Sequence, residues 1–234
     1  MRAGCWLVPL LLAAGAALCA DAKLCRSPLN ARFETPCATT LAEQGPVSVR
    51  RLGAAQAVTL IATQDLDPGF GLDSALEFGA LLILKYFTDS PGGQAASPGV
   101  ILNRTVPLTI RKGAGGAWAL WMAASPTQFP DGPGLLPAPG RYEELRALPL
   151  PGSTGQGREA YFAVVNFTTP SIPQEADWAA ACALATAPGA LPHRFALDGS
   201  APFPSATLAL YNEAGHQGPW TSECWVGVRP LAQQ

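Results

Sequence analysis

Few residues in this 234-residue chain could do chemistry. The chain has two histidines, His193 in "LPHRF" and His216 in "EAGHQGP". A neutral imidazole at either position could bind a metal ion or the iron of heme, although an exposed loop histidine is the common alternative. Met122 offers a thioether as an axial ligand, or else fills the core from a strand. Lys85 and Arg111 could pair with the carboxylates of a ligand, or belong to a solvated face.

The common catalytic and metal-binding motifs are absent from the sequence. It contains no Gly-x-Ser-x-Gly turn, no His-Glu-x-x-His helix, no phosphate-binding glycine-rich loop and no calcium loop. Glu143 and Glu144 are adjacent, so on a strand they would point to opposite faces and could not share one acid–base site. We therefore expect a non-catalytic protein with no metal site. A Ser/His/Asp arrangement assembled from distant positions is the alternative.

Composition favours a well-buried globular protein. Apolar residues make up 48% of the chain and charged residues only 14%, which is typical of a folded core rather than of disorder. The formal net charge is −2, and no basic cluster stands out. Because nucleic acids and anionic membranes are bound through concentrated positive charge, we expect neither as a partner.

The first twenty residues have the form of a signal peptide. Arg2 is followed by the apolar run 7–18 and by Ala20 as a cleavage point. The run is shorter than the ~20 residues that span a bilayer, although a signal anchor is the alternative. No later apolar run is long enough to cross a membrane. We therefore predict a secreted, extracellular protein with a signal peptide over 1–20.

Cysteine usage agrees with secretion. Cys25, Cys37, Cys182 and Cys224 follow the leader, an even number that suits disulfides in an oxidising compartment. Four cysteines allow three pairings. We favour Cys25–Cys37, which closes a short loop within an N-terminal segment at 21–45, together with Cys182–Cys224.

Two Asn-x-Thr triplets also fit a secreted chain. They predict glycosylation at Asn103 and Asn166. The first lies in the strand-like stretch "ILNRTVPLTIR", which also contains Pro107, a residue that cannot donate to a sheet ladder. We expect Pro107 to lie where the strand bends or lacks a partner, and Asn103 to lie at an exposed strand entrance.

The order of the elements repeats once, at an offset of about one hundred residues. Ser74-x-x-Glu77 and Ser171-x-x-Gln174 have the form of capping boxes, and they open predicted helices at 74–88 and 172–187. Two predicted strands precede each helix and two follow it. The strands are predicted at 46–52, 55–63, 100–111, 116–124, 142–150, 158–169, 206–214 and 222–230.

This repeat predicts the fold. Two β-β-α-β-β halves, at about 46–124 and 141–230, are joined by the Pro- and Gly-rich linker 125–140. The halves could be independent domains, but each would then leave a sheet face and two edges uncovered. We therefore expect an α+β fold in which two pseudo-symmetric halves pair into one closed, barrel-like antiparallel sheet with two flanking helices.

Several stretches, taken in order, resemble the SOUL/heme-binding protein family. "SVRRL…AAQAVTLIAT" is similar to the family's opening strands, and "GAWALWMAASPTQFP" to a later strand and its exit. "LNRTVPLTIR" resembles the Met-Thr-x-Pro-Val strand, and "LALYNEAGHQGPWTSECWVGV" resembles the closing hairpin. The matching positions in these last two stretches are Thr105, Pro107, Leu108, Tyr211, Pro219, Glu223 and Trp225.

The resemblance implies a heme-binding domain over 46–230 that holds heme or a related tetrapyrrole in an apolar groove, without catalysis. Heme would be a possible cofactor that the fold does not require. The chain has no histidine between residues 1 and 192, where some members have a proposed iron ligand. The alternative is therefore a protein of this fold that has lost heme binding and holds another amphipathic molecule or a protein partner.

Overall fold

The structure is a computed structural model. The described residues are 25–27, 33–35, 37–52, 59–87, 105–113, 115–123, 143–147, 160–198, 206–212 and 216–231. The predicted signal peptide, Asn103 and the linker 125–140 lie outside them.

Twelve strands and two helices occupy the described part of the chain. The helices are α1 (Leu72–Phe87) and α2 (Glu175–Thr186). The strands are β1 (Cys25–Arg26), β2 (Glu34–Thr35), β3 (Ala38–Gln44), β4 (Val47–Leu52), β5 (Thr59–Thr63), β6 (Leu108–Lys112), β7 (Trp118–Ala123), β8 (Glu143–Ala147), β9 (Ala160–Thr169), β10 (Phe195–Leu197), β11 (Thr207–Leu210) and β12 (Trp220–Pro230). Every strand that the sequence predicts is present, while β1, β2, β3 and β10 are additional.

Ten of the strands form one antiparallel sheet. Its order is β3-β4-β9-β12-β11-β6-β7-β5-β8, and β10 pairs with the far end of β12. The equivalent strands of the two halves are β4 and β8, β5 and β9, β6 and β11, and β7 and β12. When β3 and β10 are left out and each strand is replaced by its equivalent, the strand order is the same as the original order read backwards. The first strand of each half therefore pairs with the second strand of the other half. This confirms the fold of two pseudo-symmetric halves and rules out two separate sheets.

The sheet is barrel-like but not closed. In the described pairing, β3 and β8 lie at opposite ends of the order and do not pair with each other. The expectation of a closed sheet is therefore wrong in this detail. Residue Pro107 directly precedes β6, so the predicted strand over 100–111 forms its described ladder only from Leu108 onward. A proline before the first ladder residue leaves no sheet hydrogen bond unmade.

Both helices pack on one face of the sheet. Strand residues alternate between two core clusters: Ala163 and Val165 of β9 join the buried residues of α1 and α2, whereas Phe162 and Val164 join a cluster without helical members. This period of two follows from the pleat of a strand. The sheet therefore has a helix-covered face and an inner face, and a cavity lies on each.

The helices begin at residues other than those predicted. Helix α1 begins at Leu72, so Ser74 lies within its first turn and not at its start. Helix α2 is capped by Gln174, whose backbone N–H donates to Asp177 Oδ2 over 3.0 Å. A capping box is thus present three residues after the predicted one, because Gln174 remains extended directly before the first turn.

Both predicted disulfides are present. Cys25–Cys37 ties the β1–β2 hairpin to the start of β3, and Cys182–Cys224 ties α2 to the helix-covered face of β12. Such bonds form and persist in oxidising environments. Within the described residues, no helix combines the length and apolarity that crossing a bilayer requires.

Candidate functional site

The larger cavity is an apolar groove of about 490 Å³ between α1 and the helix-covered face of the sheet. A volume of this size lies within the ~300–1,000 Å³ range of small-molecule sites. We call it the α1 groove. It is lined by Phe33, Asp73, Leu76, Glu77, Ala80, Leu81, Ile83, Leu84, Thr105, Val106, Leu108, Met122, Ile172, Leu210, Asn212 and Trp220.

Helix α1 supplies one wall of the groove, because its groove-lining apolar residues are spaced so that they lie on one side of the helix. Leu76, Ala80 and Leu84 recur every four residues, and so lie on one stripe of the helix. Next to this stripe, the buried Gly79 brings the helix close to β7: a Cβ atom at Gly79 would lie only 2.5 Å from Leu120 Cδ1. The small Ala80 beside this contact leaves room that a larger side chain would fill.

The sheet supplies the floor of the groove through one residue from each of four strands. Leu108 of β6 and Leu210 of β11 are register partners at the centre of the pseudo-twofold arrangement. Met122 of β7 and Trp220 of β12 extend this floor, and both are buried. Two consecutive strands from each half of the chain, which are neighbours in the sheet, thus present an apolar surface to α1.

Only one of the predicted ligand-contacting side chains can be placed in the groove. Met122 lies in its floor, with only 6% of its surface exposed. Arg111 lies on the inner face of the sheet instead, with its guanidinium 5.7 Å from the centre of the Trp121 ring. Its position follows from alternation, because Leu108 and Ile110 on the same strand face the helices. Lys85 is on α1, but its side chain lies outside what the structure describes.

Neither histidine lines the groove. His193 is exposed in the turn between α2 and β10. His216 is also exposed; its ring packs edge-on against Trp220 with a centroid distance of 6.0 Å, and its Nε2 lies 3.3 Å from the carbonyl oxygen of Pro219. Of the three predicted iron ligands His193, His216 and Met122, the groove lining thus includes Met122 and neither histidine. Among the residues the structure describes, no group of three or more His, Cys, Asp or Glu side chains is placed to hold a metal ion.

The rim of the α1 groove carries negative charge. Asp73 and Glu77 are exposed, lie four residues apart on α1, and are the charged residues among those that line the groove in the described structure. Gln174 Nε2 donates to Asp73 Oδ1 over 3.2 Å. In the sequence, Glu77 had stood out only as part of a capping box. Its spacing from Asp73 on a helix was the available signal for an acidic rim.

The inner face of the sheet holds a smaller cavity of about 210 Å³. Arg50, Tyr211 and Trp225 line it beside the apolar Phe162 and Val164, and the N-terminal hairpin contributes Cys25 and Thr35. Its volume is below the usual range for drug-sized ligands.

A buried carboxylate lies next to this inner cavity. Glu223 is 1% exposed and accepts three hydrogen bonds, from Arg50 Nη1 at 2.7 Å, Tyr211 Oη at 2.6 Å and Trp225 Nε1 at 2.7 Å. Burial, and then the Glu223 carboxylate, raise the pKa of Tyr211 well above its usual value, so the phenol remains a donor. Because all its neighbours donate to it, Glu223 has a structural environment rather than that of a free base. In the sequence, Glu223 is recognisable as an acidic residue directly before the apolar stretch "CWVGV".

Of the two predicted glycosylation sites, Asn166 lies within the described residues. Asn166 is exposed on β9, three residues before the end of the strand, whereas Asn103 lies outside the described residues.

Comparisons with known proteins add little to this geometry. No protein-family profile and no curated protein matches the chain. A solved structure of a hydrolase from Listeria innocua is similar over 81% of this chain and 94% of its own, with 9% sequence identity and a TM-score of 0.38. At that TM-score the likeness carries no argument about fold or function.

Proposed function

We propose that this protein is a secreted, non-catalytic binder of an amphipathic small molecule, which it holds in the α1 groove. The observation that carries the proposal is the groove itself: an apolar floor drawn from four strands, walled by one helix and open at a charged rim. Ligand sites of this kind are concave and mostly apolar, with a few polar groups that set orientation. The two disulfides support an extracellular setting.

Absence of catalysis is part of the proposal. It is supported by the engagement of Glu223 with three donors and by the exposure of both histidines, neither of which is among the residues that line the two cavities. A general base needs a free lone pair within reach of a bound substrate.

Heme or another tetrapyrrole is the second candidate, on the resemblance to the SOUL family. The size and apolarity of the groove favour it, and Met122 would place a thioether sulfur in the floor. The rim does not favour it, because Asp73 and Glu77, the charged side chains that the structure describes there, would repel the heme propionates. The described residues thus fit the apolar body of heme but not its carboxylates.

A titration with hemin and with a metal-free apolar dye tests both candidates. If the groove binds amphipathic molecules, the dye should bind at one site, and Ala80→Trp, which fills the groove, should abolish binding. If heme is the ligand, hemin should give a shifted Soret band with saturable 1:1 stoichiometry, and Met122→Leu should alter that band. No saturable binding of either molecule would contradict the proposal, while dye binding without a Soret shift would leave the first candidate only.

A further inference from the structure

We propose that the ligand of the α1 groove carries a cationic head group, such as an ammonium, which is held at the rim by Asp73 and Glu77. The inference rests on the proposed function and specifies the chemical class of its ligand. It follows from the position of the two carboxylates, from their spacing on α1 and from the apolar surface directly beside them.

The two carboxylates lie where a head group would emerge. Asp73 and Glu77 line the groove at its exposed edge, and the next residue on the same stripe of the helix is Leu81. The neighbouring stripe, Leu76 and Ala80, faces the interior of the groove. A ligand whose apolar body covers Leu76 and Ala80 therefore places its polar end within reach of both carboxylates.

The spacing of the two acids is unfavourable unless a cation is present. Like charges at positions i and i+4 of a helix lie side by side and destabilise it. Attraction to the amino-terminal end of the helix explains Asp73, which is in the first turn, but this effect fades beyond that turn. Glu77 is the sixth residue of α1 and so lacks that explanation. A cation between the two side chains would remove their repulsion.

One of the carboxylates is also held in place. The amide of Gln174, which caps α2, donates to Asp73 Oδ1. This contact joins the two helices at the rim and fixes the orientation of the Asp73 carboxylate. An anionic head group would be repelled at the same position.

Two probes with the same tail and opposite head groups test the inference. Isothermal titration calorimetry at low salt would compare decyltrimethylammonium with decanoate, both below their micelle concentrations. We expect the ammonium to bind about tenfold more tightly, since each exposed carboxylate changes affinity by a factor of a few. Raising the salt concentration to 0.5 M should reduce the difference, because exposed charges are screened.

Matched variants separate the rim from the overall charge. Asp73→Asn/Glu77→Gln should bring the two affinities to within about twofold of each other, since only the apolar contact remains. Glu43→Gln/Asp65→Asn removes two exposed acids that do not line the groove, and should keep the preference. Circular dichroism would verify that α1 remains helical in each variant.

The possible outcomes distinguish the two levels of the proposal. Equal affinity for both probes, or a preference for decanoate, overturns the head-group inference but leaves the groove as a binding site. An equal loss of preference in the control variant also overturns it. If neither probe binds, both the inference and the proposed function fail. If an eighteen-residue helical peptide of Leu and Lys binds at least tenfold more tightly than the ammonium, the groove belongs to a basic protein segment and the small-molecule form is wrong.

Discussion

Removal of Arg50 should reveal how the inner face of the sheet tolerates a buried charge. The Arg50 side chain is 21% exposed and donates from Nη1 to the fully buried Glu223 over 2.7 Å. The substitution Arg50→Met keeps most of the apolar stem but leaves the carboxylate without a cation. Tyr211 and Trp225 still donate to it, so the charge keeps two neutral hydrogen bonds.

The expected cost is about 3 kcal/mol in the free energy of unfolding. Breaking a buried ion pair by removing one partner typically costs about 3–5 kcal/mol. The partial exposure of Arg50 and the two remaining donors place this case at the lower end. For a chain of this size, such a loss corresponds to a fall in Tm of roughly 6–12 °C.

A double-mutant cycle measured by urea denaturation at pH 7 is the appropriate assay. In Arg50→Met/Glu223→Gln the charge is gone, and the amide oxygen still accepts from Tyr211 and Trp225. The double variant should therefore recover about 2 kcal/mol relative to Arg50→Met alone. The matched control is Arg51→Met, on the opposite side of β4, which should cost less than about 1 kcal/mol. The reasoning is refuted if Arg50→Met costs no more than the control, or if the two substitutions are additive.

Three further predictions follow from other contacts. Gly79→Ala should destabilise the protein by about 1 kcal/mol, because overpacking against Leu120 outweighs the gain in helix propensity; in a Leu120→Val background the same change should be neutral or stabilising in chemical denaturation. Cys182→Ala/Cys224→Ala should lower the free energy of unfolding by about 4 kcal/mol, since the bond closes a loop between positions 42 residues apart, and a loss below about 1 kcal/mol would contradict this. Burial raises the pKa of Tyr211, so the folded state keeps this proton when the unfolded chain loses it, and the free energy of unfolding should fall as pH rises above about 10. In denaturation experiments over a series of pH values, Tyr211→Phe should show a shallower fall than the unsubstituted protein. Identical slopes for the two proteins would argue against this prediction.

Much of the fold could be predicted from local patterns, and the errors have local causes. The predicted helix starts were wrong by two or three residues because Ser-x-x-Glu and Ser-x-x-Gln patterns also occur inside or before a first turn, as at Ser74 and Ser171. Strand β3 was missed because its residues are largely exposed and show no clear alternation. Strand β10 was missed because three residues are too few for a period to appear.

The candidate site was harder to predict than the fold. Met122 was identified from its type alone, and it lies in the floor of the groove. Arg111 was assigned to the same site, yet it faces the other side of the sheet, since one position along a strand reverses the direction of the side chain. The histidines were selected for their chemistry, but neither is among the residues that line the α1 groove or the inner cavity.

The sequence by itself determined both helices and the eight principal strands, which side of these elements is apolar, and that the cysteines are even in number. Only the tertiary structure decided that the halves exchange their first strands, that α1 packs closely on β7 at Gly79, and that Arg50 meets Glu223 across 173 residues of chain. The physical reason is that periodicity encodes burial within an element, whereas a cavity or an ion pair depends on how distant elements pack together.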